Sequence, residues 1–162
     1  MYRAIVASQI RRAWRELQGR NPDAVLESFA PSFEYRFVGD HALGGTRRTR
    51  EAQGAWFARL FRLFPDIEFT VRDVLVAGWP WRTRAVVLVD VRMLDEPGRD
   101  PGDAAWTNEV MQVIALRWGR ITAITTLTDT QREVELLRRR ADRGVDEALA
   151  PPIADAALGA GR

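Results

Sequence analysis

The stretch FRLFPDIEFTVRDVLVAGWPWRTRAVVLVDVRML, residues 61–94, is where the apolar spacing of the chain changes period. Up to Pro65, the residues Ala52, Trp56, Phe57, Leu60, Leu63 and Phe64 recur at helical intervals and form a wide stripe. Beyond it, Ile67, Phe69 and Val71 alternate with polar residues, as they do in a half-buried strand. Asp73 interrupts, and Val74 and Val76 resume the alternation in the other phase, which predicts a bulge near Arg72-Asp73. GWPWRT (78–83) holds a turn. From Arg84 to Leu94 one face is wholly apolar (Ala85, Val87, Val89, Val91, Met93), and the other is mixed (Arg84, Val86, Leu88, Asp90, Arg92). Such a strand belongs to a sheet packed on one face, and the mixed face is expected to line something.

The rest of the chain completes an α+β order. Val6, Ile10, Ala13, Trp14 and Leu17 mark a first amphipathic helix closed near Gly19. Asn21-Pro22-Asp23 opens a short second helix that Pro31 stops, and Phe33, Tyr35 and Phe37 alternate as a strand. GDHALGGTRR (39–48) is loop by composition, and Thr49 can cap the third helix. DEPGRDPGD (95–103) is a polar loop; Trp106 to Trp118 and Ile121 to Thr128 are strands joined by the turn RWGR (117–120). Thr130 with Glu133 forms a capping box for a closing helix through about Asp142. Residues 1–143 thus read as a single domain, and 144–162, DEALAPPIADAALGAGR at its heart, as a flexible and dispensable tail.

Composition removes much chemistry. The chain has 162 residues, 46% hydrophobic and 28% charged, with no cysteine and no lysine. Thiol nucleophiles, thiolate metal sites and Schiff-base catalysis are therefore excluded. One histidine, His41, cannot build a multi-histidine metal site. A net charge of +2 is too weak a field to point to nucleic acid, and no apolar run is long enough to span a membrane. The expectation is a cytoplasmic protein with no metal, no cofactor, no nucleic-acid partner and no membrane association. Proton transfer by carboxylates, tyrosine or His41 survives, or no chemistry at all.

FRLFPDIEFTVRDVLVAGWPW (61–81) and ALRWGRITAITTLTD (115–129), in this layout, resemble the nuclear transport factor 2-like superfamily, and within it the SnoaL-like branch. The resemblance covers about residues 3–142. It implies a curved, mostly antiparallel sheet wrapped by about four helices into a cone around an apolar cavity. Relatives include polyketide cyclases, ketosteroid isomerases, limonene-epoxide hydrolases and non-catalytic domains. Similarity to the epoxide hydrolases places Tyr35 on their water-orienting tyrosine and Asp90 on one catalytic aspartate. Phe37, Leu88 and Thr126 stand where those enzymes have an asparagine, an arginine and their second aspartate. Thr126 also replaces the late aspartate of the cyclases. The isomerases' base and oxyanion-binding aspartate fall on Phe37 and near Gln112.

The resulting candidates are Asp90, Tyr35 and His41 for catalysis, with Arg92, Asn108, Gln112, Thr126, Phe37 and Trp56 for ligand binding. Asp90 and Arg92 share the mixed face and point the same way. Asp90 would act as base and Tyr35 as donor to a developing oxyanion. Each has a structural alternative: an ion pair at the rim, a core tyrosine with its hydroxyl satisfied, a solvated loop histidine, amides that satisfy one another. Arg47, Arg48 and Arg50 flank a helix start, where an anion would find free N–H groups. The expected ligand is a small, mostly apolar molecule, and the expected chemistry a cofactor-independent cyclisation, isomerisation or hydration by proton transfer. The alternative is a non-catalytic ligand-sensing or protein-association domain of the same fold. The apolar face from Ala85 to Met93 needs a cover, and the resemblance implies a homodimer paired through its sheets.

Overall fold

The computed structural model describes residues 1–94 and 105–155; the 95–103 loop and the last seven residues of the tail lie outside the described residues. The elements are α1 (Tyr2–Gln18), α2 (Pro22–Leu26), β1 (Phe29–Phe37), β2 (Gly45–Arg47), α3 (Arg50–Leu63), β3 (Glu68–Trp79), β4 (Arg82–Leu94), β5 (Ala105–Arg117), β6 (Arg120–Thr128) and α4 (Thr130–Asp142). Six strands form one sheet in the order β2-β1-β6-β5-β4-β3. β1 runs parallel to β6, and every other pair is antiparallel. The fold is α+β, a curved sheet with four helices.

The β3–β4 register slips between Val71 and Asp73, where the change of phase predicts a bulge. The slip keeps Phe69, Val71, Val74 and Val76 all packed on the core side of a strongly bent ribbon. The β3–β4 turn closes through Gly78 (φ +97°), where a Cβ would meet the Arg82 carbonyl at 2.2 Å. No other residue type fits there.

On β4 the apolar face is the inner one. Val87 and Val89 are fully buried, and with Ala85, Val91 and Met93 they form the centre of the core. Burying each such side chain contributes roughly 1.5–3 kcal/mol. This corrects two expectations together. The apolar face is covered by this chain's own helices and core rather than by a partner. The mixed face with Asp90 and Arg92 is the outer surface of the sheet.

Local signals differ from the expected ones in a few places. Pro31 lies inside β1, not beyond a helix; it is exposed and sits where the β1–β6 register shifts, so no ladder bond is lost. Within the 39–48 loop, Gly45–Arg47 pairs with β1 as a short edge strand. Asn21 makes no cap bond; its amide donates to Glu16 instead. Thr49 does cap α3, accepting from the Ala52 N–H at 3.2 Å. At α4 the cap is Asp129, one residue before the expected Thr130, and it accepts from Arg132 N–H at 3.1 Å. Glu133 is thereby released from a capping box and turned inward.

The described part of the tail packs against the rest of the chain. After Gly144 the chain makes a 3₁₀ turn (Asp146–Leu149) that buries Ala148. Glu147 pairs with Arg59 at 3.3 Å and Arg62 at 2.6 Å. Arg59 also donates to the Pro151 carbonyl at 2.8 Å. Asp155 then accepts from the N–H groups of Arg48 and Thr49 at 2.8 and 2.9 Å, at the N-terminus of α3. The anion that this helix start invites is therefore the chain's own carboxylate.

Candidate active site

The sheet and helices enclose a cavity of about 600 Å³. Phe37 and Tyr35 of β1, Trp56 of α3, Met93 of β4, Gln112 of β5, Thr126 and Thr128 of β6, and Glu133 of α4 stand on its wall. Strand parity explains the set. Gln112 pairs with Thr126 across β5–β6, and Phe37 pairs with Thr126 across β1–β6, so inward residues from three strands meet at one level.

At that level Tyr35, Gln112 and Thr126 form a buried polar trio. Gln112 Nε2 donates to Thr126 Oγ1 at 3.1 Å and to the Tyr35 hydroxyl oxygen at 3.5 Å. Thr126 Oγ1 donates to the same oxygen at 3.1 Å. The Tyr35 oxygen thus accepts from both neighbours, which leaves its own O–H to be given to a ligand. Burial, against the pull of Thr126, Arg47 and Gln112, raises its pKa above the usual tyrosine range, so the phenol keeps its proton at neutral pH.

Trp56 forms the aromatic wall beside the trio, with ring centroids 5.4 Å from Tyr35 and 5.7 Å from Phe37, and its indole N–H held by the Leu43 carbonyl at 2.8 Å. Behind it lies Arg47, fully buried, its guanidinium 5.2 Å from the Trp56 ring and 5.3 Å from Tyr35. It donates to Gln53 Oε1 and to the carbonyls of Gly44, Gly45 and Ile153. Burial lowers its pKa to about 10, so it stays charged. Its donors are committed to loop and tail carbonyls; it positions the wall and the tail and does not reach the cavity.

The second polar feature is Glu133. Its carboxyl is buried, and desolvation raises its pKa to about 7, against the weaker pull of the Asn108 amide. Asn108 Nδ2 donates to Glu133 Oε2 at 3.4 Å and to the Asp129 carbonyl at 3.3 Å. Its Oδ1 accepts from the N–H groups of Glu109 (2.8 Å) and Asp129 (3.3 Å). Asn108 therefore fixes the entrance of α4 and orients Glu133. It stands behind the cavity wall, a positioning residue where direct ligand binding was expected.

Of the sequence candidates, Tyr35, Phe37, Trp56, Gln112 and Thr126 come together on the cavity wall. Asp90 and Arg92 do not. Asp90 pairs on the outer face with Arg72 at 3.1 Å, and Arg72 also meets Glu109 at 2.9 Å. That network is half exposed and contributes little to stability. His41 lies behind Phe37, its ring edge-on at 5.6 Å, outside the cavity wall. Burial lowers its pKa, with the Val38 carbonyl and Asp40 opposing, so the ring is neutral near pH 7. Glu133 escaped notice because it fits a capping box. Its better signal was the spacing Glu133, Leu136, Leu137, Arg140, an inward helical stripe with two charged members.

Residues 10–124 match the family described as SnoaL-like domain, and the chain belongs to that family. Solved structures agree on the fold. TerC, co-crystallised with polyporic acid, is 17% identical with a TM-score of 0.65, covering 81% of this chain and 96% of its own. An NTF2-like protein from Burkholderia pseudomallei K96243 is 18% identical with a TM-score of 0.66, covering 81% of this chain and 95% of its own. A loop-truncation variant of IdmH is 19% identical with a TM-score of 0.63, covering 82% of this chain and 98% of its own. No curated protein matches the chain. No helix among the described residues is long and apolar enough to cross a membrane.

Proposed function

We propose that this SnoaL-like protein binds a mostly apolar, oxygen-bearing molecule in its cavity and moves a proton on it without a cofactor, with Glu133 as the base and Tyr35 as the donor to the developing oxyanion. One observation carries the reading: a buried carboxyl with a pKa of about 7 stands on the wall of an aromatic cavity. A base poised near the working pH is half ionised there and strongly driven to accept a proton. Asn108 and Gln112 are four residues apart on one strand, about 13 Å, so Glu133 and the trio address opposite ends of a ligand of two or three rings. The likeness to TerC, co-crystallised with polyporic acid, supports an aromatic ligand.

A carboxylate in an apolar cavity can be tested without the natural substrate, using 5-nitrobenzisoxazole. The base takes the ring C–H proton as the N–O bond breaks, and the cyanophenolate product absorbs visibly. The buffer-corrected rate should rise with pH through about 7 and then level, tracking the ionisation of Glu133. E133Q should fall by at least about a hundredfold. The rival reading, a ligand-sensing domain without chemistry, draws on the uncharged character of the Tyr35–Gln112–Thr126 trio. It predicts that the probe binds and quenches Trp56 but is not turned over.

The reading extends to a homodimer paired through the outer faces of the sheets. Leu75, Val86 and Val113 form one cross-strand row there, and Leu88, Met111 and Leu127 the next. Leu75, Met111 and Leu127 are 57%, 40% and 36% exposed. Contiguous apolar rows of this kind are rare on a monomer. Light scattering at micromolar concentration should return twice the chain mass, and Met111→Glu should halve it; a monomeric wild type contradicts the pairing.

A further inference from the structure

We infer that the end of the sheet where the β3–β4 and β5–β6 hairpins turn is a docking surface for an anionic lipid bilayer. The two tips, GWPWRTR (78–84) and RWGR (117–120), carry Trp79, Trp81 and Trp118 with Arg82, Arg84, Arg117 and Arg120, and no Asp or Glu. They form one surface. Trp118 N–H donates to the Pro80 carbonyl at 2.6 Å. Trp79 and Trp81 stack with centroids 5.9 Å apart, and Trp81 meets Trp118 at 6.2 Å. The three rings are 63%, 54% and 68% exposed.

Local geometry presents the outermost ring at a cost. Trp118 (φ 51°) and Gly119 (φ 76°) both lie in the left-handed region, the conformation of a tight hairpin turn that normally takes Asn-Gly. A bulky residue is disfavoured there, and its exposed ring recovers nothing from the core. Burial therefore does not explain the tryptophan.

Three exposed indoles alone would suit any apolar partner; the arginines narrow the choice. A second copy seated on the same tips would bring two sets of arginines face to face. An anionic bilayer does the reverse, giving phosphates to the guanidinium groups of Arg82, Arg84 and Arg117, while Arg120 donates to the Glu27 carbonyl, and headgroup depth to the indole rings. The site also leads somewhere. Trp118, Gly119 and Arg120 belong to the lining of the cavity, so the β5–β6 tip joins the docking surface to the cavity wall. The sequence expectation of no membrane association rested on the lack of a spanning run, and docking at an interface needs none. The inference depends on the hairpin tips and not on the chemistry of Glu133.

Co-sedimentation with vesicles tests it, using phosphatidylcholine alone and phosphatidylcholine with phosphatidylglycerol. Partitioning onto the anionic vesicles should exceed that onto the neutral ones by at least about tenfold, with a blue shift of tryptophan emission. Salt at about 0.5 M should remove most of the difference. The double variant R82Q/R117Q, changed only at exposed side chains, should bring anionic binding down to the neutral level. W81S and W118S should each weaken it at least about fivefold while circular dichroism shows the fold intact. No preference for the anionic vesicles overturns the proposal, as does binding that the arginine and tryptophan variants leave unchanged. If W81S instead lowers the molecular mass in the absence of lipid and vesicles do not bind, the tips contact another copy and the proposal fails.

Discussion

Glu133→Gln should stabilise the protein at pH 8 and leave it nearly unchanged at pH 5. The folded-state pKa of Glu133, about 7, lies above the ordinary 4.5 of an unfolded chain. Between those values the folded protein holds a proton that the unfolded chain has released, so stability falls as pH rises through that window. Above about pH 7 both states are ionised and the penalty is constant, at most about 3 kcal/mol. Glutamine cannot ionise, so the variant escapes the penalty. In thermal scans the difference between variant and wild type should grow from near zero at pH 5 to about 8 °C at pH 8. A gap that is independent of pH would mean that Glu133 does not titrate in this range. A carboxyl that lowers the stability of its own fold near neutral pH fits a retained chemical role, since leucine would fill the place better.

Truncation after Gly144 should lower the thermal midpoint by roughly 10 °C, for a loss of about 4 kcal/mol. The described part of the tail is bound at five places along its length, the Pro151 carbonyl on Arg59 among them. Ala148 enters the core, and Glu147 bridges Arg59 and Arg62. The Ile153 carbonyl accepts from buried Arg47, and Asp155 accepts from the Arg48 and Thr49 N–H groups just before α3. Without the tail, Arg47 keeps its charge behind Trp56 with one acceptor fewer, which is costly in a buried site. Part of the loss should depend on acidity. Burial raises the Asp155 pKa, but the N–H groups of Arg48 and Thr49 outweigh it and set the folded value below 3.8. That contribution is present above the unfolded pKa and disappears as pH falls through the folded one. Single substitution D155N should reproduce only the share of these hydrogen bonds, about 1 kcal/mol. A truncated protein that melts with the full chain would show the tail to be unimportant.

The fold was legible because its main signals are periodic. The change at Pro65, the phase slip at Asp73 and the apolar face of β4 each state a geometry in a few residues, and the structure has all three. What periodicity cannot state is which side of a bent sheet becomes its inside. A strand with one apolar and one mixed face is compatible with a cavity on either side. Chemistry-bearing residues drew the choice to the mixed face, whereas burial favours the apolar one, and Asp90 and Arg92 went outward with it. The wall residues Tyr35, Gln112 and Thr126 were found because alternation fixes their common direction once neighbouring strands are aligned. Glu133 and Arg47 read as a capping residue and an anion-site residue, and their burial is hidden for a shared reason. Each is a charged residue whose burial depends on contacts distant in sequence, Asn108 for one and the Ile153 carbonyl for the other. The tail's anchors are likewise single residues meeting α3 and the 39–48 loop, without a stripe to announce them.

Direct titration of the Glu133 carboxyl by carbon-13 NMR, with the resonance assigned from its loss in E133Q, decides whether the cavity holds a base. The expected midpoint is near 7. A midpoint near 4.5 would place Glu133 in water and leave the cavity without its proton acceptor.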